Sequence, residues 1–469
     1  MSQPYDGDFI AQTYEQLKRL IEPESVAIVG ASEKINKVGG AIARNALNSG
    51  YQGKIYLVNP KLTTMFGQKS YSTVDEISDE FDLAEIIVPS NLVIETLEQV
   101  SRKGAAGAIV ISAGFAESGN KELQAQLVDI ARKKKIRLLG PNCFGIVNTD
   151  ISLDLTFTFT GALKGPIAFV SQSGAMCCGT LDWAYNREIG FSKFINLGNE
   201  SDISVSDVLA YLAMDPQTKV IGVYIEGIKD GRKLIDVGKR IASKKPMVVL
   251  KAGSSEAGAR ASLSHTGSIA GSDSVIDVGL RQACMLRVHD VEEIFDAAIA
   301  LSNQPLPNGK NIGIISNAGG LGVMVSDWCS KLGLQIPLLP AETQDKMRNN
   351  LLAIASTSNP VDMTGAADYD CYTNVLDAIL SEPTIDCAIC IFVSQGIVTA
   401  AQPARAVAEV TDKHSKPVLA FWMGERSTKE GIEVLRRKGI PPYPSPSRAA
   451  KAAMAMHSYS MIKKSLNAN

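Results

Sequence analysis

An apolar β-type run that ends on a small residue and opens a glycine-bearing helix start occurs three times in this 469-residue chain. The first is SVAIVGAS at 25–32, followed by a helical GGAIARNALNSG from Gly39; the others are PIAFVSQSGAM at 166–176 and NIGIISNAGGLGV at 311–323. A strand that passes straight into a helix cannot form a tight hairpin with its successor, so the next strand returns parallel through a crossover. The intervening runs obey the same rule. KIYLVNP, LAEIIVPS, GAIVIS and KIRLLGPN follow the first start, with helical segments at 91–103 and 120–135. FSKFINLG, KVIGVYIEG and PMVVLKAG follow the second, and strands at 385–393 and 417–422 follow the third. The expected fold class is α/β, with parallel sheets covered by helices on their faces.

Two composition breaks divide the chain. DLTFTFTGALKGP, at 154–166, reads as a crossing strand ended by a Gly-Pro break, and SNQPLPNGKN, at 302–311, as a linker, so the expected domains are 1–150, 151–304 and 305–469. Asn359-Pro-Val-Asp-Met-Thr-Gly reads as a polar loop, and the tail as a Pro-broken strand followed by a helix with Ser445 as cap and Pro446 in its first turn. A content of 45% hydrophobic and 20% charged residues fits a folded protein, and a net charge of −2 gives no reason to expect a nucleic-acid partner. No apolar run reaches the length of a membrane span, and the N-terminal MSQPYDGDFI lacks the succession of a secretory signal. Eight scattered cysteines point to reduced thiols and a cytoplasmic location. Cys387 and Cys390 lie in a strand-like run, IDCAICIFV, whose period of two sends their sulfurs to opposite faces as buried hydrophobes, and no ligand set for a metal is expected.

In parallel sheets, ligands sit beyond the carboxyl ends of the strands. In the first unit those ends carry Gly30, Ser32, Asn59, Pro60, Pro89, Ser112, Gly114, Pro141 and Asn142, a nucleotide crevice. The spacing after Gly30 is not G-x-G-x-x-G, and the second strand ends in Asn59-Pro60-Lys61 where an NAD site carries an acid for the ribose hydroxyls. Lys61 suits a phosphorylated ribose instead, and a helix start at Gly39 and Gly40 suits a pyrophosphate. NADP and coenzyme A both satisfy this pattern.

In the second unit, Ser173-Gly174 opens a helix whose first amides face any anion placed there, Glu226 ends the strand KVIGVYIEG, and PMVVLKAG leads into the Ser/Gly/Ala-rich loop GSSEAGARASLSHTGSIAGSD, whose only imidazole is His265. All three emerge on one sheet edge. One histidine without neighbouring metal ligands suits an imidazole that is itself phosphorylated: one ring nitrogen attacks phosphorus, a carboxylate accepts the N–H of the other, and helix-end amides neutralise the phosphoryl oxygens. The third unit repeats the anion-binding start between Ala318 and Gly322, although Gly319, Gly320 and Gly322 also suit tight helix–strand packing. No G-x-x-x-x-G-K-[ST] is present, so a nucleotide site would have to come from a partner.

The ordered set VGAS with a later GG, VNP, LLGPNCFGIVN, VSQSGAM, YIEG, SHTGSIAGSD, SNAGGLGV and NPVDMTG covers almost the whole chain. It resembles the alpha subunit of NDP-forming acyl-CoA synthetases, the ADP-forming acetate–CoA ligases, within the succinyl-CoA synthetase superfamily. The resemblance implies a Rossmann-like CoA-binding domain followed by two flavodoxin-like ligase domains. It implies an acid–thiol ligase that interconverts acyl-CoA, ADP and phosphate with a carboxylic acid, ATP and CoA through an acyl phosphate and a phosphohistidine. It further implies a separate ATP-grasp beta subunit holding ADP or ATP with Mg, in an α2β2 heterotetramer. By matching motif, His265 is the phosphorylated residue and Glu226 its supporting carboxylate; Ser171, Ser173, Gly174, Ala175, Asn317, Gly319 and Gly320 belong to the two phosphate-holding helix starts. Gly30, Ala31, Ser32, Lys37, Asn59, Pro60, Lys61, Pro89 and Ser112 fall where CoA binds, and Asn142 and Cys143 where its thioester end is expected. Other readings of the same residues are a non-catalytic CoA-binding regulatory scaffold and an NADP enzyme with a histidine acid/base.

Overall fold

The computed structural model describes residues 9–258, 260, 272–349 and 351–468, in two compact units that divide between Arg287 and Val288. In the first unit, β1 (Ser25–Val29), β2 (Lys54–Val58), β3 (Thr64–Met65), β4 (Gln68–Tyr71), β5 (Leu83–Ile86), β6 (Gly107–Val110) and β7 (Arg137–Leu139) form a sheet of order β3-β4-β2-β1-β5-β6-β7. Only the β3–β4 pair is antiparallel; the parallel pairings from β4 to β7 are those that the alternation of apolar runs and helices dictates. One face of this sheet buries Ala27, Val29, Ala84, Ile86, Ala108 and Val110 against helix residues such as Val93, Leu97, Leu127 and Ala131. The order reverses at β1, whose neighbours are β2 and β5, which opens a crevice beyond the carboxyl ends of β1 and β5.

The second sheet, order β14-β13-β12-β10-β11-β8-β9, comprises β8 (Gly145–Asn148), β9 (Leu153–Thr156), β10 (Leu163–Ser171), β11 (Gly190–Asn196), β12 (Val220–Ile225), β13 (Met247–Lys251) and β14 (Leu286–Val288). Strands β10 to β13 pair in parallel, whereas β8 and β9 form an antiparallel hairpin on the edge of β11. Two expectations change here. The segment read as a crossing strand is the second arm of this hairpin, and the first arm precedes residue 150. Gly165-Pro166 is no break, because β10 runs through it with a register shift against β11 between Lys164 and Ile167, an irregularity that spares the ladder a proline amide. The hairpin joins the two sheets of this unit: Asn45, on the helix Val38–Asn48, donates to the carbonyls of Thr156 (2.7 Å) and Thr158 (2.9 Å), and Asn148 donates to Ile21 (2.8 Å) at the end of the helix Phe9–Ile21.

In the second unit, β15 (Ile312–Ser316), β16 (Val361–Asp362), β17 (Cys387–Val393), β18 (Val418–Met423) and β19 (Pro442–Tyr443) form an all-parallel sheet of order β16-β15-β17-β18-β19. Cys387 and Cys390 enter two different hydrophobic clusters, on opposite faces of β17, as their spacing requires. The segment read as a polar loop after Asn359 supplies the edge strand β16. The Asn359 side chain itself is a buried clamp that accepts from the Ile314 amide (3.0 Å) and donates to the carbonyls of Ile312 (2.8 Å) and Pro337 (3.1 Å). The helix Val291–Asn303, on the near side of the expected 304/305 boundary, is fastened in this unit, where Arg448 grips Asp296 through two nitrogens at 2.5 and 2.7 Å and reaches Glu292 at 3.0 Å. The final helix, Pro446–Asn467, is capped by Ser445 as its sequence predicts. Among the described residues no helix is long and apolar enough to cross a membrane.

Lys193 and Asp215 form an ion pair inside the first unit, 1% and 2% exposed, with Nζ 3.3 Å from Oδ2. Asp215 also accepts from the Thr218 hydroxyl at 2.5 Å. Removing one member of such a pair strands the other charge in a low dielectric. Asp215→Ala is therefore expected to cost about 3–5 kcal/mol in chemical denaturation. The double variant Lys193→Met with Asp215→Asn, which leaves no charge and keeps the acceptor for Thr218, should cost less than the single change.

Candidate functional site

The crevice beyond β1 and β5 is built from backbone. Gly30 follows β1 with φ +96°, and a Cβ there would sit 2.5 Å from the Ile87 carbonyl oxygen, so only glycine lets the strand ends approach this closely. Gly39 and Gly40, read as pyrophosphate contacts, are buried glycines whose missing side chains make room for the Gly30 and Lys34 carbonyls. The anion-binding capacity lies in the helix starts themselves: neither Lys37, before the helix Val38–Asn48, nor Pro89, before the helix Ser90–Ser101, caps its helix with a side chain, so first-turn amides are left for a ligand. Asn59 shapes the second strand end by donating to the Ala31 carbonyl (2.7 Å) and accepting from the Lys61 amide (2.8 Å). Lys37, Pro60 and Lys61 are exposed, Ala31 is buried, and Ser32 lies between these extremes, its hydroxyl accepting from the Lys34 amide at 3.1 Å. Ser112 donates its hydroxyl to the Val88 carbonyl at 2.5 Å and accepts the Asn142 amide on its own carbonyl at 3.0 Å. Asn142 is thereby held with φ +56° and an exposed side chain at the crevice.

In the second sheet, β10 and β12 are neighbours with Ser171 opposite Tyr224, so the strand ends lie side by side. Ser173 caps the helix Gly174–Tyr185 by accepting from Met176, which leaves the first-turn amides of Gly174 and Ala175 beyond the reach of any helical carbonyl. Gln172, between strand and helix, uses its carbonyl oxygen to accept the amides of Glu226 (2.6 Å) and Gly227 (3.0 Å). Glu226 and the Ser173 helix start are thus fixed to each other through one side chain. Ser171 does not serve the anion directly: it is 0% exposed, and its hydroxyl both accepts from the Ser173 amide and donates to the Ser173 carbonyl, each at 3.0 Å.

The third start repeats this wiring. Ser316 accepts from the Ala318 amide (3.0 Å) and donates to the Ala318 carbonyl (2.8 Å), while Asn317 stands where Gln172 does and clamps both the amide and the carbonyl of Val393 at 2.8 Å. Asn317 is 1% exposed, and its side chain is taken up by Val393. The helix Gly319–Lys331 has no side-chain cap; its Gly319 leaves room for the Asp362 carboxylate, while Gly320 is exposed. His265 lies outside the described residues. Its loop leaves β13 after Lys251, a buried amine whose pKa is lowered by desolvation and whose charge also interacts with Asp273, Arg287 and Glu226.

Three family models cover the chain: a CoA binding domain over residues 24–149, a succinyl-CoA ligase like flavodoxin domain over 164–301, and a Ligase-CoA domain over 312–464. The sequence is 41% identical over 459 residues to the acetate–CoA ligase [ADP-forming] I subunit alpha of Pyrococcus furiosus, covering 95% of this chain and 98% of that one. The chain belongs to the alpha-subunit family of the ADP-forming acetate–CoA ligases. A relative from Methanocaldococcus jannaschii, named acetate–CoA ligase [ADP-forming], is 38% identical over 452 residues; the match takes in 96% of this chain but 64% of that protein. The fold is similar to the dinucleotide forming acetyl-coenzyme A synthetase 1 of Ca. Korarchaeum cryptofilum solved with phosphate and ADP, with a TM-score of 0.92 and 35% identity over 96% of this chain and 98% of the other.

Cys143, expected where the thioester end of CoA lies, does not expose its thiol. Its thiol is buried, donates to the Val110 carbonyl at 3.3 Å, and has its pKa raised by desolvation, so it packs the loop and offers no thiolate. Close by is a residue that sequence reasoning missed. Glu85, on β5, is 0% exposed, and neither carboxyl oxygen has a hydrogen-bond partner. Desolvation, then the charge of Asp154, raises its pKa well above the usual range, and desolvation takes Asp154 itself up to about 6. The sequence held one signal, an acid inside an otherwise apolar strand, but nothing in it said that the acid stays unpaired. An acid with a raised folded-state pKa holds its proton longer in the folded chain, so its stabilising share is complete below the unfolded carboxylate pKa and is lost as pH rises toward the folded value. Wild-type thermal stability should fall as the pH leaves the ordinary carboxylate range upward. Glu85→Gln, neutral at every pH, should gain on it by roughly 1–3 kcal/mol near neutral pH. If the two proteins instead kept a constant difference in melting temperature across the pH range, Glu85 would ionise as easily in the folded chain as in the unfolded one.

Proposed function

We propose that this chain is the acyl-CoA-processing alpha subunit of an ADP-forming acyl-CoA synthetase of the acetate–CoA ligase type, working with a separate beta subunit. Its three domains divide the chemistry. Residues 1–150 bind CoA, 151–304 carry the phosphohistidine loop, and 305–469 form the second flavodoxin-like ligase domain. Phosphate attacks the thioester carbonyl of acyl-CoA; the carbon–sulfur bond breaks, the carbon–oxygen bond to phosphate forms, and CoA departs as thiol. His265 then attacks the phosphorus of the acyl phosphate, forming a P–N bond and releasing the carboxylate with the electron pair of the broken P–O bond. Transfer to ADP restores the imidazole and yields ATP.

The observation that carries this reading is the clamp between Gln172 and the Glu226–Gly227 amides, which holds the backbone of an acidic residue beside an open helix start at the sheet edge from which the His265 loop departs. In that setting Glu226 accepts the imidazole N–H and stabilises the ring as it turns positive, and the amides of Gly174 and Ala175 neutralise phosphoryl oxygens. Gly30, Ala31, Ser32, Lys37, Asn59, Pro60, Lys61, Pro89, Ser112 and Asn142 frame the CoA site, with the two uncapped helix starts for its phosphates. Cys143 contributes packing only. Gly319 and Gly320 open the second phosphate-holding start. The clamp on the Glu226 backbone favours catalysis over a regulatory scaffold, which would need no acid held at this edge. The larger Methanocaldococcus jannaschii relative extends beyond the match, whereas the Pyrococcus furiosus alpha subunit is covered almost end to end; this supports a partner chain for nucleotide binding. We assign that partner an ATP-grasp fold with Mg, an α2β2 assembly and a cytoplasmic location.

Radioactive phosphate supplied with acetyl-CoA should label the chain in a form stable to alkali and lost in mild acid, and His265→Ala should abolish the label while CoA affinity stays within about twofold. Glu226→Gln should slow labelling by roughly two to four powers of ten with a smaller effect on acetyl-CoA binding. Acid-stable label, or label that survives His265→Ala, would remove the phosphohistidine from the mechanism. Calorimetric titration of the isolated chain with ADP should give no specific heat, and net ATP formation should appear only when the beta chain is added. A micromolar ADP site on this chain would contradict the assignment of nucleotide binding to the partner.

A further inference from the structure

Gln172 is an amide, and an amide has one accepting and one donating end of nearly equal size. Its clamp on Glu226 works in only one orientation, with Oε1 toward the two amides. Something must fix that orientation, because the flipped rotamer would set an NH2 group against two N–H donors. Two acceptors at the nitrogen end reinforce it, and the nearer is Glu200. Gln172 Nε2 donates to Glu200 Oε2 at 2.7 Å and to the Gly227 carbonyl at 3.0 Å. Glu200 is 7% exposed, and its other oxygen accepts the Val205 amide at 2.7 Å, so both of its carboxyl oxygens act as acceptors. A carboxylate can only accept from the Gln172 amide, and the amide can therefore only face it with nitrogen.

The backbone around Glu200 is held as firmly as its side chain. Glu200 has φ +52°, an uncommon conformation for a residue with a Cβ. Lys229 Nζ donates to the carbonyls of Asn199 (2.7 Å) and Glu200 (2.5 Å), and the Asn199 amide donates to Pro141 at 2.9 Å. The Asn199 side chain reaches the other way, donating to Glu117 (2.5 Å) and Gln124 (2.9 Å), and Asn142 meets it at 3.3 Å. One turn after β11 therefore touches the CoA crevice with Asn199 and the phosphate side with Glu200.

We propose that Glu200 is a positioning residue for the phosphoryl-transfer step, acting through Gln172 to fix the backbone that carries Glu226 and the Ser173 helix start relative to each other. The proposal rests on the phosphoryl-transfer role given above to Glu226. Glu200→Gln keeps size and shape. To go on accepting from Val205 it must keep its oxygen there, which turns an NH2 group toward Gln172 and forces one donor–donor clash along the chain from residue 200 to residue 226. The swap Glu200→Gln with Gln172→Glu removes the donor–donor clash, because a carboxylate at 172 accepts both from the amides of 226 and 227 and from the new amide at 200; it gives up the bond from residue 172 to the Gly227 carbonyl, so recovery is partial.

The test is single-turnover phosphoryl labelling of the full chain from acetyl-CoA and radioactive phosphate, beside acetyl-CoA affinity and melting temperature. Glu200→Gln should slow labelling by about 10–100-fold with acetyl-CoA affinity nearly unchanged, and the swap should recover at least about a third of the lost rate on a logarithmic scale. Labelling by Glu200→Gln at the wild-type rate overturns the proposal. So does a slow Glu200→Gln that the swap fails to rescue, or one whose acetyl-CoA affinity falls as far as its rate, since either marks a merely structural carboxylate. Should Glu200→Gln not fold, Gln172→Leu removes the clamp while Glu200 keeps Val205, and an unimpaired rate in that variant overturns the proposal equally. Failure of the underlying reading looks different: the wild-type chain itself would take no acid-labile label.

Discussion

The register between β10 and β12 is the constraint from which the site follows. Ile167 pairs with Val220 and Ser171 with Tyr224, so the residue after one strand lies beside the residues that end the other. A parallel ladder slipped by one residue would turn alternate side chains to the wrong face and carry Gln172 away from the Glu226 amide. The register is secured inside the sheet, by the buried apolar stretch Ala168, Phe169, Val170 against Ile221 and Val223. Burial of these side chains, each worth roughly 1.5–3 kcal/mol for the larger ones, greatly outweighs the net hydrogen bonds at the strand end that it positions.

The same local device serves two starts with different outcomes. In both, a serine at the strand end closes a small ring with the residue two positions on, and the intervening amide side chain clamps the neighbouring strand. At Gln172 the clamped residues are Glu226 and Gly227, and the chain presents a carboxylate. At Asn317 the clamped residue is Val393, which stands two positions after the partner of Ser316 just as Glu226 stands two positions after the partner of Ser171, but carries no charge. Helix starts of like construction are therefore not equivalent sites: the strand-end residue beside them decides the chemistry.

Burial without partners separates Glu85 from Glu200 and Asp154. Glu200 is buried too, yet both of its oxygens are occupied, and Asp154 accepts the Thr156 amide (3.0 Å) and hydroxyl (2.6 Å). An ionised Glu85 would have none of this compensation, so the folded chain favours its protonated form.

Much of this protein was written locally. The alternation of apolar runs with helices determined parallel sheets, the three strand-to-helix starts, the opposite facing of Cys387 and Cys390 and the Ser445 cap, because pleat period, crossover geometry and capping depend on residues a few positions apart. Motif order was enough to identify the family and to bring Ser173 and Glu226 to one edge. Tertiary structure alone decided what depends on neighbours distant in sequence. It placed the hairpin of Gly145–Asn148 and Leu153–Thr156 on β11, withdrew Ser171, Asn317 and Cys143 into the scaffold, and left Glu85 without a hydrogen-bond partner. It also joined Glu200 to Gln172 and Gln172 to Glu226, contacts that span 28 and 54 residues of chain. A side chain announces its chemistry in the sequence, but whether its oxygen meets a donor, a charge or nothing is fixed only when the sheets pack.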